Sequence, residues 1–197
     1  VRADLEARGK LALFQREWEC SYLTAEGLVY PMWDESFHVR EPDPRIRWTE
    51  ILVGGDHGWS DPGVFEIIGV AGHGADAECH VIDEVYADQQ IESWWIDKAR
   101  EIVRRREFSG LPIRWYLDPS RPDRVEALRK GAGIRAEQVN NAIEDGVSAV
   151  ADRLAVRRID QGDQGERRFA KLYVSPKCKA LIREMSQYRY VRDTKNE

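Results

Sequence analysis

Apolar residues gather into short runs in the second quarter of the chain, and each run ends at glycine, proline or aspartate. Runs of this length between turn-forming residues are typical of β-strands. They predict strands over 51–56, 64–70 and 79–86, with a turn at 61–63 and a loop over 71–76. Three successive strands with such short connections predict a β-meander.

The pattern changes to that of a helix over 91–108, because apolar residues recur there at helical spacing on one face. Changes of period and turn residues predict the rest of the fold. These elements are a strand over 113–117, a short helix ended by the glycines at 131 and 133, a strand over 133–139, a helix opened by a capping box at Asn141 and Glu144, a loop over 159–168, a strand over 169–174 and a helix from 175. The predicted buried stripe of the helix after Asn141 is Ile143, Val147, Val150, Ala151 and Leu154.

The residues ahead of the meander are less regular. Residues 1–22 predict a helix with an untidy period, and residues 28–33 predict a short strand. The prolines of the EPDP stretch favour extended geometry before them, so 41–44 is expected to be a linker. We therefore expect 1–44 to be an entry segment and 45–197 to be the main folded unit.

This order of elements predicts an α/β fold with a mixed sheet flanked by helices. The sheet would hold the three-strand meander and then parallel strands, which fits a ribonuclease-H-like arrangement. In that arrangement the strands over 51–56 and 113–117 are parallel neighbours, about 4.8 Å apart.

Composition narrows the class of protein. With 197 residues, 42% of them hydrophobic, the chain can bury a core without disulfides. Its net charge of -5 excludes a strongly basic nucleic-acid coat protein, but not a DNA enzyme that confines positive charge to one face. Three scattered cysteines argue against a disulfide framework or a zinc knuckle. Since no apolar run approaches the roughly 18 residues of a membrane span and no signal peptide is evident, we expect a soluble protein.

The candidate chemistry lies where two predicted neighbouring strands end. Asp56 ends the first strand, among Gly54, Gly55 and Gly58, and Asp118 directly follows the strand IRWYL. If both lie at one edge of the sheet, their carboxylates converge within reach of shared cations. Two ions roughly 3.5–4 Å apart can clamp the attacking and leaving oxygens of a phosphodiester, and oxygen ligands suit Mg²⁺ or Mn²⁺. The glycines would let a bulky DNA backbone approach.

Each of these residues has a second interpretation. An aspartate at a strand end is often only a turn former. Asp61, before Pro62, is a turn residue or an outer metal ligand, and Glu84 on the third strand is a further candidate for the metal site. The arginine cluster at 104–106 is interpreted as solvated surface, whereas those at 157–158 and 167–168 are either solvated surface or phosphate contacts. No residue is assigned to DNA binding.

Motifs of other enzyme classes do not occur in the sequence. It contains no G-x-x-x-x-G-K-S or G-x-x-x-x-G-K-T loop, which excludes a Walker-type ATPase within this segment. It also contains no G-x-S-x-G motif, and its cysteines and histidines form no pairing that would suggest covalent catalysis.

A series of short motifs covers nearly the whole chain: FQREW (14–18), EGLVY (26–30), FHV (37–39), GDHGWSDP (55–62), IDEVY (82–86), WYLDPS (115–120), NNAIEDGV (140–147) and CKALIREM (178–185), followed by Tyr188. In this order they resemble the nuclease domain of the large terminase subunit of tailed bacteriophages. These motor proteins cut concatemeric DNA and package it into a procapsid.

The resemblance implies a metal-dependent endodeoxyribonuclease in which Asp56 and Asp118 bind Mg²⁺ or Mn²⁺ in a two-metal site. Glu84 and Asp61 match acidic positions whose role varies, and the neutral Asn140 lies near a position where some relatives have lysine. The implied partners are double-stranded DNA, an ATPase domain ahead of this segment in the same parent chain, the portal and the small terminase subunit. The implied location is the host cytoplasm, with no membrane partner.

Family members close with a D-H-x-x-D-A-type helix whose aspartate completes the metal site, and the sequence stops at Glu197 before such a motif. We therefore expect the third ligand beyond Glu197, with 1–44 leading in from the ATPase domain and 45–197 truncated before the acidic helix. Two alternatives stay open. One is a catalytically impaired module that holds DNA or docks onto the portal and ATPase. The other is a resolvase or integrase on the same scaffold, which the motifs at the front of the chain and around Glu84 disfavour.

Overall fold

The fold is described from a computed structural model over residues 27–56, 58, 61–137, 139, 142–160 and 165–190. Its helices are α1 (Glu35–His38), α2 (Glu92–Val103), α3 (Pro122–Ala132), α4 (Ile143–Leu154) and α5 (Lys179–Gln187), with 3₁₀ turns at Gly74–Asp76 and Arg106–Phe108. Its strands are β1 (Glu50–Asp56), β2 (Gly63–Ala71), β3 (Glu78–Ala87), β4 (Ile113–Leu117), β5 (Ala136–Glu137), β6 (Arg157–Asp160), β7 (Glu166–Phe169) and β8 (Leu172–Val174).

Six of these strands form one mixed sheet in the order β5-β4-β1-β2-β3-β8, and β6 and β7 form a separate hairpin. β1, β2 and β3 are antiparallel neighbours. In contrast, β4 runs parallel to β1, β5 parallel to β4, and β8 parallel to β3. The predicted meander followed by parallel strands is confirmed, and the strand order is that of a ribonuclease-H-like sheet.

The main core lies between one face of the sheet and helices α2 and α3. Phe65 of β2 packs edge-on against Trp95 of α2 and Trp115 of β4, with ring centroids 5.0 and 5.4 Å apart. The strand residues that point to this side are fully buried: Ile51, Val53, Phe65, Ile67, Trp115 and Leu117. Because side chains alternate along a strand, the residues between them belong to the opposite face.

That opposite face is covered in part by α4, α5 and residues 28–33. Leu154 of α4 packs with Val29 and Tyr30 in one buried cluster. Cys178, directly before α5, packs against Val81 of β3 and Val174 of β8. The two helices therefore lie over the β3 and β8 side of the sheet.

Four predicted strands or loops differ from the structure. Residues 28–33 form a turn with one isolated bridge from Leu28 to Arg189, because Pro31 lacks the N–H group that a strand would use. The predicted loop over 159–168 contains parts of the β6–β7 hairpin, whose mostly exposed residues leave no apolar alternation to detect. β5 and β8 are shorter than the strands that 133–139 and 169–174 predict.

The predicted helices also need correction. α2 ends at Val103 and only a 3₁₀ turn follows, so 91–108 is not one continuous helix. α4 begins after Ala142, which makes no side-chain capping bond, and Asn141 lies outside the described residues. Ile143 is the first residue of α4. It lies ahead of the buried part of the helix, and its side chain is exposed. The predicted helix over 1–22 lies outside the described ranges, within which no helix could span a membrane.

Two residues of α4 provide a matched test of this packing. Leu154 is 0% exposed and Ile143 is 75% exposed. We expect Leu154→Ala to lower the free energy of unfolding by about 2–5 kcal/mol, because it leaves a cavity in the core. Ile143→Ala should change it by no more than about 0.5 kcal/mol. Urea denaturation measures both, and equal losses would contradict the packing described for α4.

Candidate functional site

Asp56 and Asp118 each directly follow one member of the last register pair between two adjacent parallel strands. The last register pair of β1 and β4 is Gly55 with Leu117. One residue further on, the backbone N–H of Asp118 donates to the carbonyl of Gly55 at 3.0 Å. The two aspartates therefore lie side by side at the carboxyl end of the central strands, as the sequence predicts.

The glycine before Asp56 fits the close packing of β1 against its neighbours. A Cβ at Gly55 would lie 2.7 Å from side-chain carbons of both Leu117 and Phe65. Position 55 therefore points into the core below α2 and α3, and its neighbours Gly54 and Asp56 belong to the opposite face. Asp56 is exposed there, which leaves its carboxylate accessible to ligands.

The carboxylate of Asp118 is held by a local turn. Its Oδ1 accepts from the backbone N–H of Ser120 at 2.9 Å, and its Oδ2 accepts from the Ser120 hydroxyl at 2.6 Å. This is the turn-forming role that remained open from the sequence. The same bonds fix the direction of the side chain, and a carboxylate oxygen can accept from more than one donor or ligand.

The connection between β1 and β2 contains the third predicted aspartate. Asp61 is exposed and lies two residues before β2. A Cβ at Gly58 would collide with the carbonyl of Asp61, so glycine is needed for this tight loop. His57 lies outside the described residues, and so does Asn140.

Glu84 binds the start of helix α5. Its two carboxylate oxygens accept from the backbone N–H groups of Ala180 and Leu181, at 2.8 and 3.0 Å. Cys178, the residue at the N-cap position of α5, makes no side-chain capping bond. Glu84 thus supplies from β3 the negative acceptor that a helix N-terminus favours. The structure gives it a helix-capping role, which the sequence does not indicate.

Glu66 of β2 is a buried carboxyl that the sequence interpretation does not single out. It lies opposite Glu84 in the β2–β3 register and opposite Gly54 in the β1–β2 register. Its Oε2 is buried and has no hydrogen-bond partner in the described part of the protein. A single charged residue within the apolar run VFEIIGV is the only signal in the sequence that could have pointed to it.

The environment of Glu66 favours its neutral form. Burial first, and then the nearby Glu84, raise the pKa of the Glu66 carboxyl to about 8. Smaller contributions to this pKa come from Glu184 and Asp83. Glu66 is therefore expected to be protonated below pH 8 in the folded protein.

A divalent cation suits the chemistry of the Asp56 and Asp118 pair, since carboxylate oxygens are its preferred ligands. The described residues do not include a group of three His, Cys, Asp or Glu side chains placed to hold a metal ion. The structure thus brings two of the four predicted carboxylates together, and it places Glu84 at α5. The metal roles of all four stay predictions.

The arginine clusters differ in their surroundings. Arg105 forms an ion pair with Asp83 at 2.5 Å. Arg157 donates to the backbone carbonyls of Ala155 and Asp152. The exposed Arg158 and Arg167 lie on the β6–β7 hairpin, where a role in binding phosphates stays open.

Comparison with solved structures finds similar folds in large terminases. The large terminase of the thermophilic bacteriophage D6E, in complex with ATP-γ-S, matches with a TM-score of 0.72 and 22% identity over 96% of this chain and 44% of that one. The nuclease domain of the P22 large terminase matches with a TM-score of 0.55 and 12% identity, over 84% and 81% of the two chains. The nuclease domain of the bacteriophage SPP1 large terminase, with bound Mn, matches with a TM-score of 0.53 and 18% identity, over 80% and 82%.

No protein-family model matches the sequence, and no curated protein matches it. The chain spans less than half the length of the D6E large terminase.

The pH dependence of stability tests the buried Glu66. In the unfolded chain this carboxyl ionises near pH 4.5, and in the folded protein near pH 8. The resulting stabilisation is complete below pH 4.5 and is lost as the pH rises through 8. The Glu66→Gln variant has no carboxyl to ionise at this position. The free energy of unfolding of the wild type should therefore fall over this pH range, relative to that of the variant, by on the order of a few kcal/mol. A constant difference from about pH 5 to pH 9, measured by urea denaturation, would contradict the raised pKa.

The capping role of Glu84 has its own test. We expect Glu84→Ala to lower the free energy of unfolding by about 1–3 kcal/mol, because two N–H groups of α5 lose their acceptor. Hydrogen exchange should show faster exchange at Ala180 and Leu181 than elsewhere in α5. Glu101→Ala serves as the control, since its ion pair with Lys98 is on an exposed helix face and contributes little. Unchanged exchange at the start of α5 would rule out the cap.

The order of the strands in the sheet and the similarity to the three solved structures lead to the same fold. The protein has the ribonuclease-H-like fold of large terminase nuclease domains.

Proposed function

We propose that this protein is a metal-dependent endodeoxyribonuclease, the nuclease part of a viral terminase large subunit that cuts concatemeric double-stranded DNA during genome packaging. The observation that carries the proposal is the parallel pairing of β1 with β4, which puts Asp56 beside Asp118 at one end of the sheet. The fold shared with the P22 and SPP1 nuclease domains supports it.

In this proposal Asp56 and Asp118 hold divalent cations at the point where the DNA is cut. Bound Mg²⁺ or Mn²⁺, in a two-metal site, supplies an activated water and stabilises charge on the attacking and leaving oxygens. The two carboxylates determine where the scissile phosphodiester can lie. Ser120 orients Asp118, and the exposed position of Asp56 leaves space for the DNA backbone.

Oxygen ligands alone favour Mg²⁺ or Mn²⁺ over softer metals. The SPP1 nuclease domain contains bound Mn, which supports the same class of metal here. Asp61 is a candidate outer ligand, since it is exposed in the loop after β1. Glu84 is a weaker candidate, because both of its oxygens already accept hydrogen bonds from α5.

The wider assembly is also part of the proposal. The D6E protein is a large terminase that binds ATP-γ-S, and this supports an ATPase domain as the partner of residues 45–197 in the same chain, with 1–44 as the connection. Double-stranded DNA, the portal and the small terminase subunit are the other proposed partners. Cutting would take place in the host cytoplasm, at the procapsid.

A second function fits one observation. Of the four predicted carboxylates, Asp56 and Asp118 are the two that lie side by side, and the described residues contain no group of three His, Cys, Asp or Glu side chains that could hold a metal ion. Mg²⁺ is reluctant to give up its waters for so few protein ligands. A module that holds DNA or docks onto the portal and ATPase, with impaired catalysis, is therefore the alternative.

Substitution of either aspartate separates the two functions. We expect Asp56→Ala and Asp118→Ala each to lower Mn²⁺-dependent nicking of plasmid DNA at least about 100-fold, because a metal ligand is lost. Both variants should remain folded, since neither side chain fills the core. Asp97→Ala, which removes an exposed carboxylate on α2, is the matched control.

Circular dichroism and thermal denaturation check the fold of each variant. Undiminished nicking by folded Asp56→Ala or Asp118→Ala would rule out the assigned role. If the wild type binds DNA but does not cut it at any Mn²⁺ concentration, the DNA-holding module is the better account.

A further inference from the structure

The sheet face that carries Asp56 and Asp118 is open over its central strands. Along β1 and β4 the residues on this face alternate with buried ones, and all of them are at least partly exposed: Glu50, Leu52, Gly54, Arg114 and Tyr116. Helix α5 packs on the same face over β3 and β8. The exposed strands and α5 therefore form the floor and one wall of a groove that contains the two aspartates.

Tyr86 of β3 lies in the same row across the sheet as Asp56. Val64 of β2 is the register partner of both residues, so all three side chains are on one face. Because neighbouring strands are about 4.8 Å apart, the backbones of Asp56 and Tyr86 are separated by about 10 Å. The hydroxyl of Tyr86 donates to Glu184 of α5 at 3.0 Å. Tyr86 therefore connects the row of Asp56 to the wall of the groove.

Arg183 of α5 lies over Tyr86. Its guanidinium carbon is 5.8 Å from the centre of the Tyr86 ring, which is within the range of a cation–π interaction. The side chain of Arg183 is exposed, and it forms no ion pair with any described residue. A positive charge without a carboxylate partner is thus held beside the row that contains Asp56.

A second cation lies one helical turn before Arg183. Lys179 is also exposed and also forms no ion pair in the described part of the chain. Like charges at this spacing are unfavourable for a helix. On α3, in contrast, Lys130 has an oppositely charged partner at the same spacing, Glu126, at 3.3 Å. A bound anion would compensate the two like charges of α5.

Two carboxylates occur in the same region. Glu35 of α1 lines one surface recess together with Lys179 and Arg183, and Glu184 is bound by the hydroxyl of Tyr86. Neither carboxylate is within ion-pair distance of the two cations. Lys179 and Arg183 therefore remain available to a ligand from outside the described structure.

We propose that Arg183, together with Lys179, binds phosphates of the DNA a few nucleotides away from the phosphodiester that is cut. The inference rests on the proposed nuclease function. The separation of about 10 Å between Asp56 and Tyr86 corresponds to about three nucleotides of a duplex strand, at about 3.4 Å each along the axis. A guanidinium group matches the geometry of a phosphate. Its charge also offsets the repulsion between the DNA and the carboxylates of the groove.

Equilibrium binding of a short blunt-ended DNA duplex, followed by fluorescence anisotropy, tests the proposal. Ca²⁺, which takes the same oxygen ligands, replaces Mn²⁺ in order to slow cutting. We expect Arg183→Gln to weaken binding at least about 3-fold in about 0.1 M salt, and to reduce the slope of log K against log[salt] by about 1. Arg183→Lys keeps the charge and should restore most of both. Arg129→Gln removes an exposed arginine from α3, on the other side of the sheet, and should change neither.

Other measurements distinguish a DNA contact from a structural or metal-binding role. Arg183→Gln should leave the melting temperature of the protein and its affinity for Mn²⁺, measured by calorimetry, unchanged. In plasmid nicking it should raise KM and leave kcat unchanged, because a contact away from the cut phosphodiester is made equally in the ground state and the transition state. A lower melting temperature with normal DNA affinity would assign Arg183 a structural role and overturn the proposal.

The outcomes separate the DNA contact from the nuclease function. Wild-type DNA affinity and salt dependence in Arg183→Gln, together with lost nicking in Asp56→Ala, would overturn the contact and leave the nuclease proposal standing. An equal loss of affinity in Arg129→Gln would also overturn it, since the effect would then be one of net charge. Weakened DNA binding in Arg183→Gln, with no nicking by the wild type at any Mn²⁺ concentration, would support the contact and overturn the nuclease proposal in favour of the DNA-holding module.

Discussion

The parallel hydrogen bonds between β1 and β4 are the constraint on which the candidate site depends. They fix Gly55 against Leu117, and so they fix Asp56 beside Asp118. A side chain at position 55 would force the buried neighbours to shift, because a Cβ there would lie 2.7 Å from side-chain carbons of Leu117 and Phe65. The same strand pairing therefore sets both the packing of the core under β1 and the positions of the two carboxylates. A change that separates the strands would cost stability and would pull the carboxylates apart.

Two carboxyl groups on the face of the sheet opposite α2 and α3, those of Glu84 and Glu66, differ in their surroundings. Glu84 is bound by the N-terminus of α5, where two N–H groups compensate its charge. Glu66 is buried beside it without such compensation, and its raised pKa reflects this. Keeping a buried carboxyl costs free energy that an apolar residue would not. Residues that lower stability in this way are concentrated at functional sites.

The sequence predicts the strands of the sheet better than it predicts the roles of the acidic residues. The meander and the strand at 113–117 follow from apolar runs between glycine, proline and aspartate, and these local signals agree with the tertiary fold. The pairing of Asp56 with Asp118 follows from the sheet order, which the alternation of helices and strands already indicates. The role of Glu84 could not be predicted, because its partners Ala180 and Leu181 are about a hundred residues away in the chain and backbone N–H groups have no sequence signature. The β6–β7 hairpin is missed for a related reason: its exposed strands carry no apolar period.

The most direct test of the account is to locate a metal ion in crystals of the protein soaked with Mn²⁺, from the anomalous scattering of manganese. The account predicts a peak at the carboxyl ends of β1 and β4, within roughly 2.0–2.5 Å of an oxygen of Asp56 and of an oxygen of Asp118. A peak at only one of these carboxylates, or at a site elsewhere on the protein with none between the two strands, would contradict it.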